Sequence, residues 1–257
     1  AGGGRKNEGS YGAPPAPPRL AGTLARPGVP GERINTVVFN PLYLAAQEEI
    51  YRRGVIGKAY QHGRPRPHMV SFAMGYLLSQ GDISTHCPVT LTGAVAYVLN
   101  RYAPPKVRGQ YLHDLIRIDG KAKTGGTWAT EQHSGTNAGA TTCVAKKMED
   151  GSFRLSGQKW FASNAASNLA IALARPEGAP EGNKGAGLYL IPDTVGGKPN
   201  TYKIEAIKEK LGTRGLATAE IDLNECHAIE IVPPPHGLRV MMEALEYSRV
   251  HNAMSAA

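Results

Sequence analysis

The chain is predicted to be an α+β protein with a helical N-terminal domain, a middle antiparallel β-barrel or sandwich domain, and the start of a C-terminal helical bundle. Three observations predict that order. Apolar residues recur at helical three-and-four spacing up to about residue 122, short strand-like runs divided by turn residues follow, and the helical period returns after Pro233-Pro234-Pro235. The boundaries drawn on this basis are 1–31, 32–122, 123–235 and 236–257.

Residues 1–31 are rich in Gly and Pro, a composition that buries too little apolar surface to offset its ordering entropy, so they read as an arm. Asn40 followed by Pro41 then gives a helix cap and first turn, opening a helix to about Tyr51. A second helix is expected over Met69 to Gln80, with Val70, Ala73, Met74, Leu77 and Leu78 on its apolar face and Gly81 as its stop. Pro88 is expected to begin a third helix carrying Leu91, Val95, Val98 and Leu99, and a fourth holds Val107, Leu112 and Leu115.

Strand-like runs come next, at Thr141 to Ala145, Phe153 to Leu155, Leu169 to Leu173, Gly187 to Ile191 and Ala219 to Leu223. Turn signals such as Glu149-Asp150-Gly151 and Gly196-Gly197-Lys198-Pro199 divide them, and no long helical pattern intervenes, so the sheet is expected to be antiparallel. In the last segment Leu238, Met241, Met242 and Leu245 share a helical face with no partner after it. An apolar stripe must pack on something, so this helix is expected to be the first of a C-terminal domain that the chain largely lacks.

Composition narrows the class. A hydrophobic content of 41% suits a folded chain, and no apolar run approaches the roughly 20 residues that span a bilayer. The chain therefore reads as soluble and cytosolic. Cys87, Cys143 and Cys226 are odd in number and form no CxxC pair, which argues against a disulfide framework and a zinc site, so no metal is expected. The net charge of +8 is uneven: residues 1–123 hold 16 Lys and Arg against 7 Asp and Glu, and the remainder hold 13 against 14. Such a front half would attract phosphate-rich partners, but its cations are scattered without a tight run, which favours an ordinary solvated surface.

The chemistry sits in three segments. These are Thr127-Trp128-Ala129-Thr130-Glu131 with Gly135-Thr136-Asn137 after it, then Gly157-Gln158-Lys159-Trp160-Phe161-Ala162-Ser163-Asn164, then Lys210-Leu211-Gly212-Thr213-Arg214. In this order, between a helical front and a new helix ending in an Arg, they resemble the acyl-CoA dehydrogenase family. Gly31-Glu32-Arg33-Ile34, Phe39-Asn40-Pro41, Cys87-Pro88-Val89-Thr90 and Glu149-Asp150-Gly151-Ser152-Phe153 resemble its AidB-like branch. Each motif alone is weak; their order from about residue 17 onward is specific.

The resemblance implies FAD as cofactor. It implies that Thr127, Ala129 and Thr130 face the isoalloxazine through backbone and hydroxyl groups, and that Gly135 and Thr136 approach the pyrophosphate. Phe161 would lie against the ring system, and Ser163 would offer a hydroxyl and an amide near N5 and O4. Taken singly, Thr127 to Thr130 read as a strand, Phe161 as core and Ser163 as a turn. Two departures from the family pattern stand out: Asn137 replaces the common Asp, and Gln132-His133 replace small residues. His133 beside a phosphate would be a proton donor, but a surface loop histidine is commoner.

No catalytic residue is assigned. The family's glutamate base usually lies in the C-terminal domain, or in a minority just before the arginine matching Arg249, where this chain has Ser248. Glu246 and Glu243 project elsewhere round the helix and read as surface charges, Glu246 being rotated by roughly 200°. HExxH, P-loop, Rossmann and GxSxG patterns are absent from the sequence, and Cys87 after His86 reads as a core thiol.

Three functions compete at this point. The first is FAD-dependent α,β-dehydrogenation of an acyl-CoA-like thioester, and the second is an AidB-like flavoprotein that binds DNA through its C-terminal domain in alkylation protection. The third is a catalytically inert scaffold. The resemblance also implies a homo-oligomer, dimer or tetramer, and the want of a long apolar run leads us to expect no membrane partner.

Overall fold

The computed structural model describes residues 23–24, 36–63 and 68–257. Most of the arm therefore lies outside the described residues, as does Gly31-Glu32-Arg33-Ile34. Within them, β1 (Thr23–Leu24) pairs antiparallel with β2 (Val37–Val38).

Helix α1 (Pro41–Arg52) starts where the cap was expected: Asn40 is extended and its Oδ1 accepts from the Leu42 amide at 2.8 Å. Helix α2 (Met69–Ser79) forms as expected, but its packed face differs. Ser71 and Gly75 are buried, whereas Val70, Ala73 and Leu77 are exposed. Close approach decides this, because a Cβ at Gly75 would lie 2.6 Å from the Nδ1 of His251, so the helix seats its smallest side against its neighbour.

Helix α3 (Ile83–Tyr102) begins before Pro88, not at it. Asp82 accepts from the Ser84 and Thr85 amides at 2.9 and 3.1 Å, which caps the helix there, and Pro88 sits inside it among buried Thr85, His86 and Val89 without an i−4 bond of its own. Val89, Ala94, Val95, Ala96, Val98 and Leu99 are all fully buried, so α3 is the central helix, covered on every side. Helix α4 (Pro105–Leu115) completes the helical part, with Leu115 buried.

The strands are β3 (Gly125–Trp128), β4 (Val144–Lys147), β5 (Phe153–Ser163), β6 (Leu169–Pro176) and β7 (Gly187–Pro192). They continue with the hairpin β8 (Thr194–Val195) and β9 (Lys198–Pro199), then β10 (Tyr202–Ile207) and β11 (Thr218–Val232). The main sheet runs β10-β11-β5-β4-β6-β3, and β7 closes it into a ring by pairing with both β6 and β11. Strand β11 makes closure possible by its length: it pairs with β5 as far as Ala228 and with β7 from Ile229.

The expected all-antiparallel sheet needs correction, since β6 runs parallel to both β3 and β4. The β4–β5 hairpin reverses the chain once and the 163–169 segment reverses it again, so β6 returns in the direction of β4 and takes its open edge. Strand β6 also separates two cores by period two. Leu169, Ile171 and Leu173 face the helices, whereas Ala170, Ala172 and Ala174 face the ring interior with Trp128, Leu155, Tyr189 and Ile221.

Helix α5 (Gly237–Ser255) finds its partner upstream, contrary to the expectation that none was present. Val240, Met241 and Ala244 join the helical core, and Tyr247 lies against Phe72 (ring centroids 5.4 Å) and Tyr97 (6.0 Å). Among the described residues no helix is long and apolar enough to cross a membrane, and Cys87, Cys143 and Cys226 are free thiols.

Candidate functional site

Strand β3 is pressed onto α3. A Cβ at Gly125 would lie 2.9 Å from Val95 and 3.0 Å from the Thr92 backbone, so glycine is what lets the strand sit there. The Gly125 amide donates to Thr92 Oγ1 at 2.9 Å, and Thr92 donates onward to the Pro88 carbonyl at 2.7 Å. The segment after β5 grips the same strand: Asn164 donates to the Gly125 carbonyl at 2.9 Å, and Asn168 accepts from the Thr124 amide at 3.0 Å.

The three sequence segments converge. Beyond β3, the Thr130 carbonyl accepts from the Trp160 amide at 2.8 Å, so Thr130 adjoins the strand that carries Phe161 and Ser163. Ser163 pairs with Thr218 across β11, their hydroxyls 3.2 Å apart. Lys210 donates to Thr218 Oγ1 at 2.9 Å and to the Leu216 carbonyl at 2.8 Å, while Arg214 donates to the Lys210 carbonyl. Burial lowers the Lys210 pKa.

Phe161 is not core. The β5–β11 register shifts between Ala219 and Ile221, so Trp160 and Phe161 together oppose Glu220. This bulge puts Phe161 at φ 53° and turns its ring outward, 47% exposed, with the Lys208 ammonium 3.9 Å from its centroid. Thr127, Thr130 and Ser163 are half-buried, and Ala129 is buried with its methyl in the helical core, which leaves only its backbone for a ligand. Gly135 and Thr136 are exposed on the turn that follows, and a Cβ at Gly135 would meet nothing within 4 Å. Reciprocal 3.1 Å backbone bonds between Glu131 and Ser134 close that turn, with Ser134 Oγ donating to the Asn137 carbonyl at 2.7 Å. Gln132 and His133 are exposed.

The motif residues Glu131 and Lys159 form a buried pair that the sequence reading missed. Lys159 Nζ lies 2.6 Å from Glu131 Oε1, and the two side chains are 0% and 4% exposed. Burial would raise the Glu131 carboxyl, but the Lys159 charge and donors from Thr141 and Thr142 outweigh it and hold the pKa down to about 2. A signal was available: β-period places Lys159 on the same face as Phe153 and Leu155, and a lysine there requires an acid.

On α5, Ser248 is buried and donates to the Leu245 carbonyl at 2.9 Å, while Glu246 is exposed and pairs with Arg249. Glu243 is not a free surface charge. It is half-buried and accepts from the hydroxyls of Tyr102 and, at 3.4 Å, Tyr97. Among the described residues no cluster of three or more His, Cys, Asp or Glu side chains could hold a metal ion.

Comparison with known proteins agrees with this architecture. Residues 126–226 match the acyl-CoA dehydrogenase middle domain. Acyl-CoA dehydrogenase family member 11 of Caenorhabditis elegans is 30% identical over 240 residues, covering 88% of this chain and 39% of that protein. The chain belongs to the acyl-CoA dehydrogenase family. Within the family its front part is of the AidB type, since residues 16–119 match the N-terminal domain of the adaptive response protein AidB. The putative acyl-CoA dehydrogenase AidB of Escherichia coli (strain K12) is 26% identical over 233 residues, covering 86% of this chain and 42% of that one. Among solved structures, Caenorhabditis elegans ACDH-11 in complex with C11-CoA superposes with a TM-score of 0.82 at 27% identity, over 92% of this chain and 42% of that one. The chain thus spans about two fifths of the length of these relatives.

Proposed function

We propose that this chain holds the flavin of an FAD-dependent acyl-CoA dehydrogenase-type oxidoreductase acting on an acyl-CoA-like thioester. The observation that carries the reading is the convergence of Thr130, Phe161 and Ser163 through the Trp160–Thr130 bond and the Ser163–Thr218–Lys210 chain. Their chemistry fits a flavin: an outward aromatic ring for a flat heterocycle, half-buried hydroxyls beside it for ring carbonyls and nitrogens, and the open turn at Gly135 and Thr136 for a phosphate. Thr127 and Ala129 would contribute from β3 and its end, Ala129 by backbone alone. FAD, when bound, supplies the hydride acceptor for α,β-dehydrogenation.

This chain's residues orient and desolvate, and none is assigned as the base, since Ser248 lacks the basicity required. The C11-CoA bound to ACDH-11 supports an acyl-CoA as the partner, and assembly as a homodimer or homotetramer belongs to the same proposal. The test is anaerobic addition of acyl-CoA to the FAD-loaded full-length protein, with loss of flavin absorbance expected. A protein that takes up no FAD would end the reading.

The AidB-type match and the +9 balance of residues 1–123 support a second reading, a flavoprotein that associates with DNA in alkylation protection. Salt-sensitive DNA binding without flavin bleaching would favour it over the first.

A further inference from the structure

We propose that Glu131 and Lys159 are a positioning pair that shapes the flavin site before the cofactor arrives, an inference that rests on the flavin reading above. Both are adjacent in sequence to the backbone atoms that join the segment after β3 to β5. Glu131 directly follows Thr130, Lys159 directly precedes Trp160, and the Trp160–Thr130 backbone bond is the next rung beside their side-chain contact. Glu131 also closes the turn immediately before Gly135 and Thr136, through its backbone bonds to Ser134, whose hydroxyl in turn spans those two residues by donating to the Asn137 carbonyl. One pair of side chains therefore fixes the offset between the phosphate-facing turn and the strand that displays Phe161 and Ser163.

Both charges are saturated. Glu131 Oε1 accepts from Lys159 and from the Thr141 hydroxyl, and Oε2 accepts from the Thr142 amide at 2.7 Å and the Thr142 hydroxyl at 2.8 Å. Lys159 donates besides to the Leu173 carbonyl on β6 at 2.7 Å and contacts Thr141 Oγ1 at 3.5 Å. A buried pair gains little net stability over apolar residues of similar volume, because desolvation offsets the attraction. What it does supply is direction: the bonds fix one geometry where an apolar contact would tolerate sliding.

The test uses the full-length protein with Glu131→Gln, Lys159→Met, the double variant and Lys159→Arg. Circular dichroism and melting temperature report folding, and flavin fluorescence and absorption report the site. The folded double variant is expected to bind FAD about tenfold more weakly, with a shifted flavin band, and Lys159→Arg to recover most of the affinity. A folded double variant with wild-type affinity and spectrum overturns the proposal and leaves the flavin reading intact. Wild-type protein that binds no FAD ends the flavin reading instead. Hydrogen exchange on flavin-free wild type gives a test independent of the variants. The Trp160 and Ser134 amides should be protected before FAD is added, and protection gained only with FAD would mean that the cofactor shapes the loops.

Discussion

Asn164 donates from its side-chain amide to the Gly125 carbonyl at 2.9 Å, and it does so from a backbone φ of 54°. Asparagine tolerates this left-handed conformation better than most residues, so one position supplies both the turn and the tether. Asn164→Ala should cost about 2 kcal/mol, from the unmet Gly125 carbonyl and the added backbone strain. Asn164→Gly should cost about half that, because it loses only the bond. Urea denaturation measures the order, and equal losses would mean that strain contributes nothing.

Phe161 separates binding from stability. It holds φ 53° and is 47% exposed, so Phe161→Gly relieves strain and gives up about half a buried side chain, two effects of similar size. Stability should stay level within about 1 kcal/mol while FAD affinity falls about tenfold or more. Parallel losses of both would place the ring in the core after all.

Removing one member of the buried pair should be severe. Glu131→Ala leaves the Lys159 ammonium without its counter-charge and is expected to destabilise by about 3–5 kcal/mol, read by thermal and urea unfolding. The Glu131 carboxyl, held down to about 2 in the fold, stays ionised there while its unfolded counterpart, with an ordinary value of 4.5, takes a proton. Stability from this pair is therefore full above pH 4.5 and is lost as pH falls towards 2.

His251 should make the protein acid-sensitive at milder pH. It is 1% exposed, its ring lies 4.7 Å from Phe72 and 5.5 Å from His86, and neither nitrogen has a hydrogen-bonding partner among the described residues. Burial first, then the neighbouring His86 and His68, lower its pKa from 6.5 to about 3. The unfolded chain takes a proton below 6.5 and the folded chain refuses it until about 3, so stability drains through that window as pH falls. Unfolding free energy should drop by about 2 kcal/mol from pH 7 to pH 5, and His251→Phe should remove most of that slope. His68 and His86, also lowered by burial, add in the same direction.

The convergence of the motif segments follows their order in the chain. Thr127 lies in β3 with Thr130 and Gly135 just beyond it, Phe161 and Ser163 lie in the neighbouring β5, and Lys210 reaches the partner strand of Ser163. Lys159 and Glu131 were visible as letters of those motifs but not as a pair, because 28 residues separate them and only ring closure turns both inward. The outward turn of Phe161 was hidden for the same reason, since a bulge exists only relative to the strand opposite.

Local chemistry in the chain was enough for the succession of helices, strands and final helix. The Asn40-Pro41 cap, the turn residues and the alternation of Leu and Ile with Ala along β6 act over a few residues. The direction of β6, the packed faces of α2 and α5, and the partner of Lys159 came from contacts between distant segments. Periodicity records which side of an element is apolar. It carries no record of which other element will cover that side, because that depends on hydrogen bonds and close approaches between residues far apart in the chain.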